Sequence, residues 1–146
     1  MPSGHRRRTP GRWLAGCPRT GSALLQSTAY HGRVSSECLF CRIVSGELPA
    51  DVVHREKGII AFTDIHPVAE THVLVVPERH IDDLRHIQDS DAELWLRMAC
   101  VANEVAADLG HEQGYRFYVS VGSAGGQTVP HLHIHVMGGS MRRLPV

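Results

Sequence analysis

The sequence predicts an α+β domain in which a mainly antiparallel sheet carries one long helix and one short helix. Two patterns lead to this fold class: five short strand-like segments outnumber the helical segments, and most of them are joined by short turns. Parallel neighbours would instead need crossovers of a dozen residues or more. The 146 residues are enough for one domain with a buried core, and they contain no apolar run of membrane-spanning length.

The first half of the domain is predicted as a short helix followed by three strands. The helix covers Cys38–Ser45, with Ser36 as its N-cap and Gly46 as its terminator. Two strands then form a hairpin around Lys57-Gly58, and a third strand ends at Pro77. The three strands are expected at Val52–His54, Ile59–Thr63 and His72–Val76.

The second half contains the long helix and two further strands. A capping-box pattern, Ser90-Asp91-Ala92-Glu93, opens the helix, and Gly110 ends it. Apolar residues recur on one face at helical spacing, so this stripe should be buried. The stripe consists of Leu94, Met98, Val101 and Val105. The last two strands are expected at Arg116–Val121 and His131–Met137.

Charge is distributed unevenly along the chain, although the formal net charge is zero. Residues 1–36 contain six arginines and no Asp or Glu, so all fifteen acidic residues belong to the remainder. The basic segment is expected to be a disordered tail, and a transit peptide or a wrongly assigned start are the alternatives. The acidic remainder argues against a nucleic-acid partner. The cysteine pattern fits no disulfide scaffold, which favours a cytoplasmic protein, or an organellar one if the tail is a transit peptide.

Three histidines alternate with aliphatic residues in the last predicted strand, in the run His131-Leu132-His133-Ile134-His135-Val136. Side chains of a strand alternate between the two faces of a sheet, so the imidazoles should share one face while the aliphatic residues turn to the core. Neighbouring imidazoles on that face would lie about 7 Å apart. Near neutral pH an imidazole can act as a nucleophile, a base or a metal ligand. The pattern therefore predicts a chemical site.

The loop before this strand, Gly122–Thr128, is rich in glycine. Glycine allows successive main-chain N–H groups to turn towards one point, which can form an anion-binding nest. Gln127 and Thr128 would add side-chain donors beside the imidazoles. Hydrogen-bond donors that can hold the non-bridging oxygens of a phosphate, placed next to a nucleophile, suit an attack on phosphorus. The alternative interpretation of this segment is an ordinary hairpin loop.

Together these motifs resemble those of the histidine-triad (HIT) superfamily, and within it the Hint branch. The triad is preceded by Gly-Gly-Gln-Thr and followed by Gly138-Gly139. The similarity covers residues 37–146, which would form the HIT domain, and includes three further blocks in the same order. They are Phe62 to Ile65, Thr71 to Pro77 and Ala106 to Gly110. The resemblance implies the HIT-like fold and a homodimer with a continuous sheet, in which the long helix and the fourth strand meet their symmetry mates.

The same resemblance implies a hydrolase that binds a purine nucleotide and acts at its α-phosphorus. His133 would attack phosphorus and carry the nucleotidyl group, which water then removes, without a catalytic metal or an organic cofactor. Because the attacking nitrogen must be unprotonated, the other ring nitrogen of His133 should donate to a carbonyl. His135, His72 and Thr128 would surround the phosphate, and Asp64 would accept hydrogen bonds from the ribose hydroxyls.

An apolar slot for the base is implied at six positions, for which plain core packing is the alternative. These positions are Leu39, Phe40, Ile43, Phe62, Ile65 and Leu74. Gly126 and Gln127 of the glycine-rich loop would also contact the nucleotide. Two positions depart from the Hint pattern: Ser120 replaces an Asn near the phosphate, and Leu144 replaces a Trp near the leaving group. The rate and the choice of leaving group therefore do not follow from the resemblance.

A second group of candidate residues begins with Cys38-x-x-Cys41 on the short helix. Residues three apart share a helix face, so two thiolates there can provide half of a tetrahedral zinc site; a redox pair or two buried thiols would look the same. Relatives with this motif complete the site with two histidines, which correspond here to His80 and His131. The implied closed Cys2His2 site would be structural and would reserve His131 as a ligand.

Cleavage of the P–N bond in purine nucleoside 5′-phosphoramidates, of the AMP-lysine or AMP-NH2 type, is the activity that the resemblance favours. Hydrolysis of dinucleoside polyphosphates, as in the other HIT branch, is one alternative. A nucleotide-binding interaction module with little catalysis is another, because Ser120 departs from the pattern. A metal-oxygenase-like barrel with His133 and His135 as ligands would need a carboxylate on a neighbouring strand and more strands than the sequence provides.

Overall fold

The structure is a computed structural model that describes residues 37–141. Its main elements are α1 (Leu39–Val44), β1 (Val52–Glu56), β2 (Ile59–Thr63), β3 (Ala69–Pro77), α2 (Ala92–Asp108), β4 (Arg116–Tyr118) and β5 (Ile134–Met141). Short 3-10 turns lie at Leu84–His86, Asp89–Asp91 and Ser123–Gly125. The predicted basic tail, with Ser36, and Leu144 lie outside the described residues. Within the described part of the chain, no helix has both the length and the apolar character needed to cross a membrane.

All five strands form one antiparallel sheet in the order β1-β2-β3-β5-β4, which confirms the predicted fold class. The hairpin between β1 and β2 turns at Gly58, whose φ of +84° lies in the left-handed region that favours glycine. The pairing of β5 with β3 sets His135 opposite Leu74, and the pairing with β4 sets it opposite Tyr118. This register places His135 near the middle of the sheet, between two strands.

Each face of the sheet carries its own hydrophobic cluster. On the α2 face, Leu132, Ile134 and Val136 pack with residues of the long helix. The buried helix residues are Met98, Val101 and Val105, with Leu94 half-buried beside them, so the predicted stripe is confirmed. On the opposite face, α1 packs over β2 and β3. The three histidines belong to this α1 face, because side chains alternate along the chain.

Several predicted ends differ from the observed ones. Ser90 does not cap the long helix; it lies in a 3-10 turn, and Asp91 is the N-cap residue. The side chain of Asp91 makes no capping hydrogen bond to the long helix. Its carboxylate instead accepts the N–H of Gln88 at 3.0 Å, which closes the capping box of the 3-10 turn, and pairs with Arg79. The short helix likewise begins after Cys38, which has no side-chain cap.

The last strand begins at Ile134, three residues later than predicted. The N–H of Leu132 donates to the carbonyl of Ile81 at 2.6 Å, and that of His131 donates to Val129 at 2.8 Å, so neither joins the ladder of the sheet. Only His135 of the three triad histidines is therefore a strand residue. The fourth strand is shorter than predicted and ends at Tyr118.

Candidate active site and metal centre

The three triad histidines share one face of the chain, as the alternation predicts, although two of them precede the strand. The ring of His133 contacts Phe40 edge-on, with centroids 5.2 Å apart, and lies 4.8 Å from the ring of His135. His131 is fully buried and His133 is only 4% exposed. Buried polar rings need hydrogen-bond partners, and these partners determine which nitrogen of each ring carries a proton.

The hydrogen bond of His133 fixes its tautomer. Its Nδ1 lies 2.7 Å from the main-chain oxygen of His131. A carbonyl oxygen can only accept, so Nδ1 carries the proton and Nε2 has the lone pair. Burial lowers the pKa of His133, which keeps the ring neutral near neutral pH. The ring thus has the protonation state that nucleophilic attack requires.

A second chain of hydrogen bonds fixes His72 and His135. The N–H of Val68 donates to Nδ1 of His72 at 3.3 Å, so the proton of His72 is on Nε2. That Nε2 lies 2.8 Å from Nδ1 of His135 and donates to it. The proton of His135 must therefore be on Nε2. Burial lowers the pKa of both rings, that of His135 to about 3, so His135 is a neutral hydrogen-bond donor.

Asp64 lies beside this pair and completes a group with two histidines and one carboxylate. Its Oδ2 is 3.5 Å from Nε2 of His72, and its Oδ1 accepts the N–H of His66 at 2.9 Å. The ligand atoms of Asp64, His72 and His135 all lie within 4.8 Å of one another, as metal ligands would. The tautomers argue against a metal here. Binding through Nε2 of His72 would move its proton to Nδ1, where it would face the N–H of Val68.

A cleft of about 720 Å³ opens on the imidazole face. Predicted site residues along its wall are Ser120, Gly126, Thr128, His133 and His135. Tyr118 also lines it and was not predicted from the sequence. Its ring stacks on that of His135, with centroids 4.3 Å and planes 4° apart. The only sequence signal for this contact would have been the register between β4 and β5, which local patterns do not specify.

Gln127 does not serve as the predicted side-chain donor. Its Nε2 donates to the main-chain oxygens of Asp82 at 2.7 Å and Val129 at 3.0 Å, which uses both amide hydrogens. Its Oε1 accepts the N–H of Gly122 at 2.8 Å. The side chain therefore holds the loop in place. The prediction of an anion-binding nest is also wrong for residues 125–127, because their N–H groups donate to carbonyls inside the loop.

Most of the predicted apolar slot is core. Phe40, Phe62 and Leu74 are buried in the α1 cluster, and Ile43 packs against its edge. Leu39 and Ile65 are exposed, by 42% and 80% respectively. None of the six lines the 720 Å³ cleft. The packing alternative thus accounts for the buried members. The two exposed residues are open to solvent, and Ile65 is adjacent to Asp64 in sequence.

The four residues implied as metal ligands converge. The thiols of Cys38 and Cys41 and one nitrogen each of His80 and His131 all lie within 4.8 Å of one another. Nδ1 of His131 is 3.3 Å and 3.6 Å from the two sulfurs, and Nδ1 of His80 is 3.2 Å from that of Cys41. Sulfur and nitrogen ligands of a tetrahedral zinc ion would lie about 3.5 Å apart. The spacing therefore suits such an ion.

His80 and His131 also make hydrogen bonds, through the ring nitrogen that faces away from the thiols, of the kind that metal-ligating histidines make. Nε2 of His131 donates to the carbonyl of Pro77 at 2.9 Å, and Nε2 of His80 lies 2.8 Å from a carboxylate oxygen of Asp82. With protons on Nε2, both Nδ1 lone pairs face the thiols. Metal-ligating histidines typically donate their other N–H to a carbonyl or a carboxylate in this way. His72 also carries its proton on Nε2, but there it is the protonated Nε2 that faces Asp64 and His135, while Nδ1 accepts the N–H of Val68.

A model of the HIT domain family matches residues 45–141 of the chain. Protein HitA of Neisseria gonorrhoeae is 38% identical over 101 residues, which are 69% of this chain and 94% of HitA. A solved HIT family hydrolase from Clostridium thermocellum is 40% identical with a TM-score of 0.71, over 76% of this chain and 97% of that one. A histidine triad nucleotide-binding protein from Candida albicans is 30% identical with a TM-score of 0.62, over 68% and 72%. The chain therefore belongs to the HIT domain family.

Proposed function

We propose that the protein is a nucleotide hydrolase that cleaves the P–N bond of purine nucleoside 5′-phosphoramidates through a nucleotidyl group on His133. The hydrogen bond from Nδ1 of His133 to the carbonyl of His131 carries this proposal, because it leaves Nε2 unprotonated. A neutral, buried imidazole beside an open cleft suits attack on phosphorus. Similar solved proteins bear the names hydrolase and nucleotide-binding protein, which agrees with this chemistry.

In the first step, Nε2 of His133 forms a bond to the α-phosphorus and the P–N bond breaks. The amine leaves with the electron pair of that bond and takes a proton from solvent. The ring of His133 becomes cationic, so its Nδ1–H donates more strongly to the carbonyl of His131. Nε2–H of His135 and the hydroxyl of Thr128, which both belong to the cleft wall, would donate to the phosphate oxygens.

In the second step, water forms a bond to phosphorus and the bond to Nε2 breaks. The protons of that water pass to solvent, and the products are the nucleoside monophosphate and neutral His133. Nδ1–H is retained throughout, because the carbonyl of His131 accepts from it in both states. The cycle uses side chains of this chain, the main-chain carbonyl of His131 and water.

Asp64, Leu39 and Ile65 would bind the nucleoside. Oδ2 of Asp64 is not used by the N–H of His66 and would accept hydrogen bonds from the ribose hydroxyls. Leu39 and Ile65 are exposed and would cover the faces of the base, and Phe40, whose ring contacts that of His133, would lie beneath it. Apolar contact of this kind would orient the substrate and exclude water from it.

Zinc is the ion that we propose for the site formed by Cys38, Cys41, His80 and His131. Its softness suits two thiolates and two imidazoles, and the spacing and outer hydrogen bonds fit tetrahedral ligation. When bound, the ion would act as a cross-link between α1, the segment after β3 and the segment before β5. Four protein ligands would fill its coordination sphere, so its role would be structural.

A homodimer is also proposed. Strand β4 lies at the edge of the sheet, and Leu96 on α2 is 52% exposed. An unpaired strand edge suits a twofold contact that continues the sheet, and an exposed apolar residue on the long helix suits a helix contact in the same dimer. A cytoplasmic location, or an organellar one if residues 1–36 form a transit peptide, is our expectation from the charge and cysteine pattern of the sequence.

Turnover of three substrates tests the proposed function. Wild type should hydrolyse AMP-NH2 and AMP-lysine faster than diadenosine triphosphate, His133→Ala should lose activity by at least about a thousandfold, and the control variant His86→Ala should retain it. His86 is a suitable control because it is an exposed histidine outside the cleft wall. Faster turnover of diadenosine triphosphate would favour the other HIT branch. Binding of AMP without turnover of any substrate would favour an interaction module.

A further inference from the structure

We propose that Tyr118 is a positioning residue that holds the ring of His135 in the orientation needed to donate to the phosphate. The two residues are directly opposite in the pairing of β4 with β5. Their rings are parallel within 4°, with centroids 4.3 Å apart. The positioning role rests on the proposed function, because that function assigns His135 as the phosphate donor. The influence of Tyr118 on the orientation and pKa of the His135 ring does not rest on it.

Two contacts are needed to fix an imidazole in space. The hydrogen bond from His72 to Nδ1 of His135, at 2.8 Å, restrains one ring atom but does not by itself hold the plane of the ring. A stacked ring fixes the plane, because tilting away would lose face-to-face contact. The two contacts together determine the direction of Nε2–H. Donors in active sites need such support to remain within about 0.5 Å of the productive position.

Stacking also protects the tautomer of His135. The titratable groups that face this ring are Asp64, His72, His133 and Tyr118 itself. Burial is the main cause that lowers the pKa of His135, and Asp64 alone opposes it. A proton on Nδ1 would face Nε2–H of His72 and break the hydrogen bond between them. By covering one face of the ring from water, Tyr118 would keep His135 neutral and this hydrogen bond intact.

The ring of Tyr118, rather than its hydroxyl, would perform this role. Among residues 37–141, no hydrogen bond joins the hydroxyl to another residue. Burial raises the pKa of Tyr118, so the hydroxyl stays protonated and uncharged near neutral pH. Tyr118→Phe should therefore behave as wild type, whereas Tyr118→Leu keeps apolar bulk without a flat face and Tyr118→Ala removes both.

Kinetics and an NMR titration of the full chain test the proposal. We expect kcat for AMP-NH2 to fall about tenfold in Tyr118→Leu and Tyr118→Ala with KM changed less than twofold, and both constants to be unchanged in Tyr118→Phe. The ring nitrogens of His135, assigned by comparison with His135→Gln, should titrate at higher pH in Tyr118→Ala than in wild type. Thermal unfolding of each variant shows whether it is folded.

Two results would overturn the proposal, and the second does not depend on the proposed function. Wild-type kcat in folded Tyr118→Leu and Tyr118→Ala is one, and an unchanged titration of His135 in Tyr118→Ala is the other. If wild type does not hydrolyse phosphoramidates at all, the proposed function fails. The titration would still show in that case whether Tyr118 controls the ring of His135.

Discussion

Nδ1 of His133 lies 2.7 Å from the main-chain oxygen of His131, so the backbone of one histidine fixes the tautomer of the other. The ring of His131 meanwhile points its own Nδ1 towards Cys38, at 3.3 Å from the sulfur, and donates from Nε2 to Pro77. One residue thus belongs to both clusters, through its ring to the candidate metal centre and through its carbonyl to the candidate nucleophile. Order at the metal centre should therefore support the geometry of His133.

Loss of the metal site should destabilise the protein. We expect purified wild type to contain about one zinc ion per chain, and His80→Ala to lose it and to unfold at a Tm lower by ten degrees or more, as structural zinc contributes several kcal/mol. His54→Ala, which removes a histidine outside the cluster, should keep both the metal and the Tm. Elemental analysis and calorimetry provide the measurements. Equal Tm values for His80→Ala and wild type would contradict a structural zinc.

Acid should destabilise the folded state through its neutral histidines. His135 has a pKa of about 3 when folded, below its ordinary value of 6.5, so the unfolded chain binds more protons between these values. Its contribution to stability is complete above pH 6.5 and is lost as the pH falls towards 3. By pH 5 this one group should cost about 1 to 2 kcal/mol of unfolding free energy, allowing for its partial exposure.

Urea denaturation at pH 7.5 and pH 5.0 measures this effect. His135→Gln has no proton to gain, so its unfolding free energy should fall less between the two pH values than that of wild type. His86→Ala, which removes an exposed histidine, should follow wild type. An equal fall in wild type and His135→Gln would show that the ring is not held neutral by the fold.

A side chain at Gly138 should collide with His111. A Cβ there would lie 2.3 Å from the nearest ring carbon of His111, whose Nε2 lies 2.8 Å from the hydroxyl oxygen of Thr71 and is therefore anchored. Gly138→Ala should lower the unfolding free energy by about 1 to 3 kcal/mol. Gly125→Ala is the matched control, because nothing lies within 4 Å of its Cβ. In a His111→Ala background most of the cost should disappear; an undiminished cost would place the strain elsewhere.

Gln127 should control the loop rather than contact the ligand. Gln127→Ala removes three hydrogen bonds that hold Gly122–Val129 and the segment at Asp82, so kcat/KM for AMP-NH2 should fall about tenfold or more. Gln127→Glu should be as harmful, because a carboxylate cannot donate to the two carbonyls. Gln113→Ala, an exposed position after α2, is the control. Wild-type kinetics in Gln127→Glu would contradict this role.

The sequence predicted the faces of the sheet better than the ends of its strands. Alternation is a property of the extended backbone, so Leu132, Ile134 and Val136 could be placed in the core without any knowledge of partners. The start of β5 depends on which carbonyl receives the N–H of Leu132, and that carbonyl belongs to Ile81, far away in sequence. Long-range pairing of this kind leaves no local pattern.

In the candidate site, too, local sequence patterns predicted some features and long-range contacts decided the others. Residue types and spacing singled out His131, His133 and the cysteines, because each chemistry needs those atoms. The structure brings them together. What the sequence could not show is how each polar group is already used. The amide of Gln127 bonds to the loop, and Tyr118 meets His135 only through strand pairing.

Intact mass spectrometry of the reaction with AMP-NH2 tests the central claim most directly. Samples are quenched within the first turnovers in alkaline denaturant, because the P–N bond to histidine is labile in acid. Wild type and His86→Ala should show a species heavier by one adenylyl group, and His133→Ala should not. Turnover by wild type without that species, or the same adduct in His133→Ala, would contradict a nucleotidyl group on His133.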